Sequence, residues 1–327
     1  MSPDTALRHE QDHPETVNRS VPPTDRATPP LMPAPSLVDP RSLYPLPPYP
    51  EQSQPAPGAT AAMVPRPDHG EESYVGAGRL TGRRALVTGG DSGIGRAVAI
   101  AFWREGAAVT IAYLPAEEAD AQDLKALAAS EGAELHLIPG DLTDRDFAEG
   151  LVGRAAALMG GLDLLVNNAS KQVTSEGIQD ISLQQFEEVL KTNVLAYFQL
   201  SRAALTLMPP GSSILNTASI QGFRPSRTLL DYAASKAAEI AFTESLSQQA
   251  IATGVRVNAV APGPIWTPLQ AACGKDMASL TQHGASTTIG RAGQPAECAG
   301  AYVFLASREA SYITGLTLGV TGGAAVH

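Results

Sequence analysis

The sequence predicts one doubly wound α/β domain over residues 76–327, a seven-stranded parallel sheet with helices on both faces. A proline-rich arm over residues 1–75 precedes it. Three observations carry this. Short runs rich in Val, Leu and Ile alternate with longer stretches whose apolar residues recur at helical spacing. Seven such runs fit into about 250 residues, the size of one domain of this class. The prolines segregate, with 17 of the 26 in the first 70 positions.

The elements follow in order. RRALVTGG (83–90) is a short β run closed by glycine, and GIGRAVAIAFWREG (93–106) is helical. AAVTIAY (107–113) is the second strand, followed by a helix over 116–132 with its charges on one face. AELHLIPGD (133–141) is the third strand, a helix covers 147–161, and LDLLVNNAS (162–170) is the fourth. One long helix is expected over 183–208, then the strand SSILNTAS (212–219), a helix over 229–253 and the strand VRVNAVAPG (255–263). After a loop region, AECAGAYVFLAS (296–307) is the last helix and LTLGVTGG (316–323) the last strand. Strands that are apolar throughout need cover on both faces, the mark of a parallel sheet.

Proline lacks a backbone donor and favours extended geometry, so a stretch such as PLPPYP (45–50) cannot build a packed core. Residues 40–75 read as an extended arm lying on a neighbouring subunit, with a disordered tail as the alternative; disorder is expected before residue 40.

A formal net charge of -10 argues against a nucleic-acid partner, which requires a basic footprint, and against docking to anionic membranes. Cys273 and Cys298 lie 25 positions apart and the six histidines are scattered, so no metal site is expected. No apolar run reaches the ~18 residues of a membrane span. The first twenty residues lack the apolar core of a secretory signal, which makes the cytoplasm the expected location.

TGGDSGIG (88–95) stands between a strand and a helix. Gly89, Gly93 and Gly95 allow a tight turn and close approach of backbone to phosphate, and the helix start directs N–H groups at a pyrophosphate. Asp141, ending the third strand, either accepts from an adenine amino group or is a solvated turn residue. Tyr232 and Lys236, four apart in DYAASK, share one helix face. A phenol titrating near pH 10 is a poor acid–base catalyst at neutral pH, and an adjacent ammonium makes it a better one. Ser219, at a strand end, can bond a substrate carbonyl or simply cap a turn. Asn193 sits mid-helix, where asparagine is unfavourable without a reason; a kink there can hold a water that links Lys236 to solvent.

In order and spacing, TGGDSGIG, NNA (167–169), Asn193, Ser219, Tyr232/Lys236 and APGPIWT (261–267) resemble the short-chain dehydrogenases/reductases, a family of Rossmann-type fold. PRPDHGEESYVG, YLPAEE and LDYAASKAA narrow the resemblance to the bacterial NADP-dependent aldehyde reductase and glucose/ribitol-dehydrogenase-like branch, which carries an N-terminal extension. The resemblance covers residues 80–327. It implies a catalytic tetrad in which Tyr232 exchanges the proton, Ser219 steadies the carbonyl, and Lys236 lowers the tyrosine pKa and holds the nicotinamide ribose. Asn193 maintains the relay water. It further implies cofactor contacts from Gly89, Ser92, Gly93, Ile94, Gly95 and Tyr113, and from Asp141, Leu142, Asn168 and Ala169. Tyr232, Lys236, Pro262, Gly263, Ile265 and Thr267 complete the set, Thr267 at the carboxamide of the nicotinamide. The family's usual NNAG reads NNAS here, with Ser170 in the last place, which slightly crowds the wall beside the nicotinamide.

Tyr113 follows Gly95 by eighteen positions, where NAD-using relatives typically carry aspartate. Its absence removes one obstacle to a 2′-phosphate. No arginine replaces it, however, position 92 is Ser92 where NADP-users are often basic, and Glu117 and Glu118 follow. The expectation is NADP(H) slightly ahead of NAD(H). The segment 265–293 reads as a mobile lid, in which Trp266, Leu269 and Met277 either line an apolar mouth or pack in the lid's own base. A small aldehyde or ketone is the expected substrate, with a sugar or polyol second. A non-catalytic dinucleotide sensor is the rival from another class, and a homotetramer is the family's usual assembly.

Overall fold

The computed structural model describes residues 37–326, so the expectation for the first 36 residues lies outside it. Seven parallel strands form one sheet in the order β3-β2-β1-β4-β5-β6-β7. They are β1 (Arg84–Thr88), β2 (Ala108–Tyr113), β3 (Leu135–Pro139), β4 (Leu164–Asn167), β5 (Ser213–Thr217), β6 (Arg256–Pro262) and β7 (Thr317–Val320). Val87 of β1 stands level with Ile111 of β2 and Val166 of β4. Strand order reverses between β1 and β4, which opens a crevice beyond the carboxyl ends of the strands.

Helices cover both faces, as the all-apolar strands require. On one face α1 (Gly93–Arg104), α2 (Glu118–Ser130) and α9 (Pro295–Ala306) bury Ile100, Phe102, Leu124 and Tyr302 against Val87, Val109 and Ile111. On the other, α3 (Arg145–Met159) and α5 (Ala196–Ala204) bury Leu151, Val152 and Leu200 against Leu86, Leu165 and Ile214. Local signals set the helix ends. Asp144 caps α3 by accepting from the N–H groups of Asp146 and Phe147, and Gly160 ends that helix with φ +72.

The single helix expected over 183–208 is instead divided. It runs as α4 (Leu183–Leu190), a π-helical turn over Lys191–Leu195, and α5, with turns from residue 205 ahead of Pro209 and Pro210. Asn193 stands in the middle of the π turn, and its side-chain amide bonds to Lys171 and Ser235, outside its own helix. Among the described residues the remaining α-helices are α6 (Leu230–Ala250), α7 (Pro268–Ala272) and α8 (Met277–Thr281).

Residues 39–75 pack against the domain within one chain, chiefly on the 265–293 segment. Tyr49 stacks on Trp266 with ring centroids 4.2 Å apart, and its N–H donates to the Thr281 carbonyl at 2.8 Å. Trp266 Nε1 donates to the Pro65 carbonyl at 2.8 Å, and the Arg291 guanidinium donates to the Pro40 carbonyl. Trp266 is therefore fully buried under the arm and lines no mouth, while Met277 faces solvent. Of the three candidate mouth residues, Leu269 alone lines the crevice. The sequence expectation put this arm on a neighbouring subunit; the contacts described here are intrachain. Tyr49→Ala removes the ring that covers Trp266. It is expected to destabilise by about 3 kcal/mol and to increase tryptic cleavage at Lys275 inside the covered segment, read by limited proteolysis.

Candidate active site

The crevice beyond the strand ends is built first by the glycine turn. Gly89 and Gly93 adopt φ +58 and +50, a left-handed backbone that favours glycine. A Cβ on Gly95 would stand 1.9 Å from the Gly89 carbonyl oxygen, so no other residue fits beneath the turn. Asn168 pins the turn from β4, donating from Nδ2 to the carbonyls of Thr88 and Gly89 at 3.0 Å each. The Ser92 side chain makes no capping bond at the start of α1, which leaves the first-turn N–H groups for an anion.

One cavity of about 1100 Å³ runs from this turn across the ends of β4, β5 and β6. It exceeds the usual ~300–1,000 Å³ of a ligand pocket, which suits a dinucleotide with a small second ligand. Gly89, Ser92, Gly93, Ile94, Tyr113, Asp141 and Leu142 line it, as do Asn168, Ala169, Pro262, Gly263, Ile265 and Thr267. Gly95 lies under the turn and Asn193 behind the wall, so neither faces the cavity. The glycine turn, the uncapped helix start and the cavity's length fit a nicotinamide dinucleotide. Asp141 is a turn residue whose Oδ1 accepts from Thr143 N–H at 2.8 Å, and it also lines the cavity.

Ser219, Tyr232 and Lys236 meet at the middle of this cavity. The first turn of α6 is fixed by Asp231, fully buried, which accepts from the Tyr232 N–H at 2.7 Å and from Gln185 of α4 at 2.8 Å. Ser219 Oγ accepts from Gln221 N–H at 3.1 Å, so it caps a turn as well as facing the site. Lys236 Nζ lies 5.4 Å from the centre of the Tyr232 ring and donates to the Thr217 carbonyl at 2.7 Å. Burial pushes the Tyr232 phenol up. The Lys236 ammonium and the Ser219 hydrogen bond pull it down, and the Glu239 carboxylate pushes it up. Asn193 accepts from the Lys171 N–H at 2.8 Å and donates to the Lys171 carbonyl and to Ser235 Oγ. Both of its side-chain donors are thus engaged. It ties the π turn to the Lys171 backbone and to Ser235 of α6.

Sequence reasoning missed several groups. Asp91, inside the glycine turn, is fully buried, and neither carboxylate oxygen has a partner. Burial and the neighbouring Glu117 hold its carboxyl well above the usual range. Glu117 itself is pushed up to about 7 by burial, against a hydrogen bond from the Leu114 N–H and with Asp120 adding to the rise. Both acids line the cavity beside Tyr113, whose O–H donates to Glu118 at 2.7 Å. Ala56 and Pro57 of the arm also contribute to the wall. From the covered segment, Lys275 Nζ approaches His283 Nδ1 at 3.0 Å. Burial, with Lys275 adding to it, pushes His283 down to about 3, so its ring is neutral and accepts from the ammonium. A strand-end turn signalled the acids only as loop residues, and Glu239 is hidden by ordinary helical spacing.

The family model described as Enoyl-(Acyl carrier protein) reductase matches residues 89–325. The chain is 52% identical over 287 residues to the uncharacterized oxidoreductase YghA of Escherichia coli (strain K12), covering 88% of this chain and 98% of that protein. It is 42% identical over 277 residues to NADPH-dependent aldehyde reductase 1, chloroplastic, of Arabidopsis thaliana, covering 83% of this chain and 96% of that one. A crystal structure of a short chain dehydrogenase from Burkholderia cenocepacia J2315 in complex with NADP superposes with a TM-score of 0.70 at 34% identity. That match covers 75% of this chain and 98% of the other.

Proposed function

Since the chain belongs to the short-chain dehydrogenase/reductase family and is an NAD(P)-dependent oxidoreductase acting on CH–OH and C=O groups, we propose that it reduces small aldehydes or ketones, with NADPH preferred over NADH. The observation that carries this reading is the convergence of the Tyr232, Ser219 and Lys236 side chains on the cavity that begins at the glycine turn. The bound nicotinamide supplies or accepts the hydride. The chain's own residues handle the oxygen. Tyr232 O–H donates to the carbonyl oxygen and gives up its proton as the alcohol forms; Ser219 O–H donates to the same oxygen and holds it in line. Lys236 stabilises the phenolate that remains and presents an ammonium to the nicotinamide ribose. The first-turn N–H groups of α1 receive the pyrophosphate, Asp141 the adenine amino group and Thr267 the carboxamide.

A small substrate is favoured because Ala56 and Pro57 of the arm and Leu269 and Gln270 of the 265–293 segment add walls to the cavity that a cofactor would share. The similarity to the Arabidopsis NADPH-dependent aldehyde reductase supports both the carbonyl substrate and the coenzyme. Among the described residues no helix is long and apolar enough to cross a membrane, and we place the protein in the cytoplasm. The assembly proposed is a homotetramer, with the arm extending toward a neighbouring subunit from its seat on the 265–293 segment.

The reading is tested by following reduced-nicotinamide absorbance with NADPH or NADH against short aldehydes, ketones and open-chain sugars. Expected is coenzyme consumption with the aldehydes, faster with NADPH. Turnover confined to sugars or polyols would replace the substrate class. Tight coenzyme binding with no turnover on any of them would favour a sensor.

A further inference from the structure

Glu239 lies on α6 one turn beyond Lys236, 1% exposed, and the proton transfer described above does not require it. Both of its carboxylate oxygens accept from Lys236 Nζ, at 2.9 and 3.1 Å, and the Thr217 carbonyl accepts from the same nitrogen at 2.7 Å. An ammonium has three donors, so all three point at protein acceptors. From α5 the fully buried Tyr197 faces this pair, with its hydroxyl unpartnered. From α9 Tyr302 faces it, sharing a hydrogen bond with Thr217 Oγ1 at 2.8 Å. Thr243, the next turn of α6, donates to the Glu239 carbonyl at 2.8 Å, and Tyr232 stands on the other side of Lys236. A buried ion pair is weak ground for stability, because desolvation offsets its attraction. The carboxylate's effect on its neighbours is then what distinguishes it from an apolar side chain of similar volume.

We propose that Glu239 is a positioning residue for the Tyr232–Lys236 pair: it holds the ammonium turned away from the nicotinamide ribose until the cofactor displaces part of the ion pair, and its negative charge opposes that of the phenolate. The proposal rests on Tyr232 acting as the acid–base group. Lys236 then has two competing sets of acceptors, the Glu239 oxygens and the ribose hydroxyls, and the reaction proceeds with the ammonium shared between them. Burial pushes the Glu239 carboxyl up to about 8, with Lys236 pulling it down. Its opposing charge is therefore developed toward alkaline pH, where alcohol oxidation draws on the phenolate.

The experiment is the pH profile of kcat/KM for alcohol oxidation in the full-length wild type and in Glu239→Gln, together with the Kd for NADPH. Gln keeps the shape and an acceptor for Lys236 but removes the charge. Expected is a downward displacement of the acid limb by about one pH unit, roughly a tenfold gain on the limb, with NADPH binding several-fold tighter on the alkaline side, where the Glu239 carboxyl is ionised. An unmoved limb, or one displaced upward, overturns the proposal even if the variant melts earlier, because a purely structural role lowers stability without moving the limb. Should Glu239→Gln fail to fold, Glu239→Asp draws the charge back by one methylene; a smaller downward shift supports the proposal and none overturns it. Tyr232→Phe in the same assay separates the two readings. Retained activity in that variant refutes the acid–base assignment itself, whereas an inactive Tyr232→Phe with an unmoved Glu239→Gln limb refutes only the role of Glu239.

Discussion

Tyr232→Phe is expected to lower kcat for carbonyl reduction by roughly 10³-fold while leaving the Kd for NADPH within about twofold, measured by steady-state kinetics and fluorescence titration. The substitution removes one hydroxyl and leaves the ring that fills the wall between Ser219 and Lys236. The hydroxyl is the group placed to donate a proton in the cavity. The Tyr232 ring is 7% exposed, so water has little access to substitute for it. Burial alone would make the phenol a poorer acid–base group, and Lys236 and Ser219 work against that. The loss therefore falls on kcat, where proton transfer is felt, and spares binding, which rests on the glycine turn and the far end of the cavity. A fall in kcat below tenfold would mean that another donor reaches the carbonyl oxygen.

The NADPH-to-NADH ratio of kcat/KM is expected to fall about tenfold between pH 6 and 8, and the fall is expected to be much reduced in Glu117→Gln. Glu117 lines the cavity beside Asp91 and Tyr113, the position where NAD-using relatives typically carry aspartate and where a 2′-phosphate would be accommodated. Its folded carboxyl, held up to about 7 chiefly by burial, is neutral below that pH and charged above it. The sign follows directly. Protonated Glu117 can donate to a 2′-phosphate, whereas ionised Glu117 repels it and accepts from the free ribose hydroxyls of NADH. Asp91 strengthens the effect, since the charge of one carboxylate disfavours ionisation of its neighbour. A slope equally steep in Glu117→Gln would assign it to the ionisation of the coenzyme phosphate instead. The same shift bears on stability: a carboxyl raised in the fold contributes fully below its unfolded pKa, and that contribution is lost as pH rises through about 7.

Much of this was legible before any coordinates. The alternation of apolar runs and amphipathic stretches gave seven strands and their parallel arrangement, because a strand apolar on both faces has nowhere else to go. TGGDSGIG located the glycine turn between β1 and α1, since the left-handed φ of Gly89 and Gly93 and the steric limit at Gly95 are demands on residue type that local sequence records. Tyr232, Lys236 and Ser219 were singled out by the family resemblance, since their spacing and strand-end position alone are commonplace, and they line one cavity.

Other features depend on which distant segments meet. The helix over 183–208 looked continuous because propensity does not register the long-range bonds of Asn193 to Lys171 and Ser235. The sequence left Trp266 either at an apolar mouth or packed in the base of its own segment, and it could not show the arm's Tyr49, more than two hundred positions away, stacked on it. Asp91, Glu117 and Glu239 were ordinary acids in the sequence. Burial changed their protonation, and burial is a property of the assembled sheet and its covering helices. The sequence by itself thus determined the fold class and the glycine turn, both governed by local periodicity and backbone sterics, while the family resemblance nominated Tyr232, Lys236 and Ser219. Only the tertiary structure decided which carboxylates are desolvated, what faces Lys236 and what covers the catalytic end, because electrostatics in a protein depends on distance through space and not on separation along the chain.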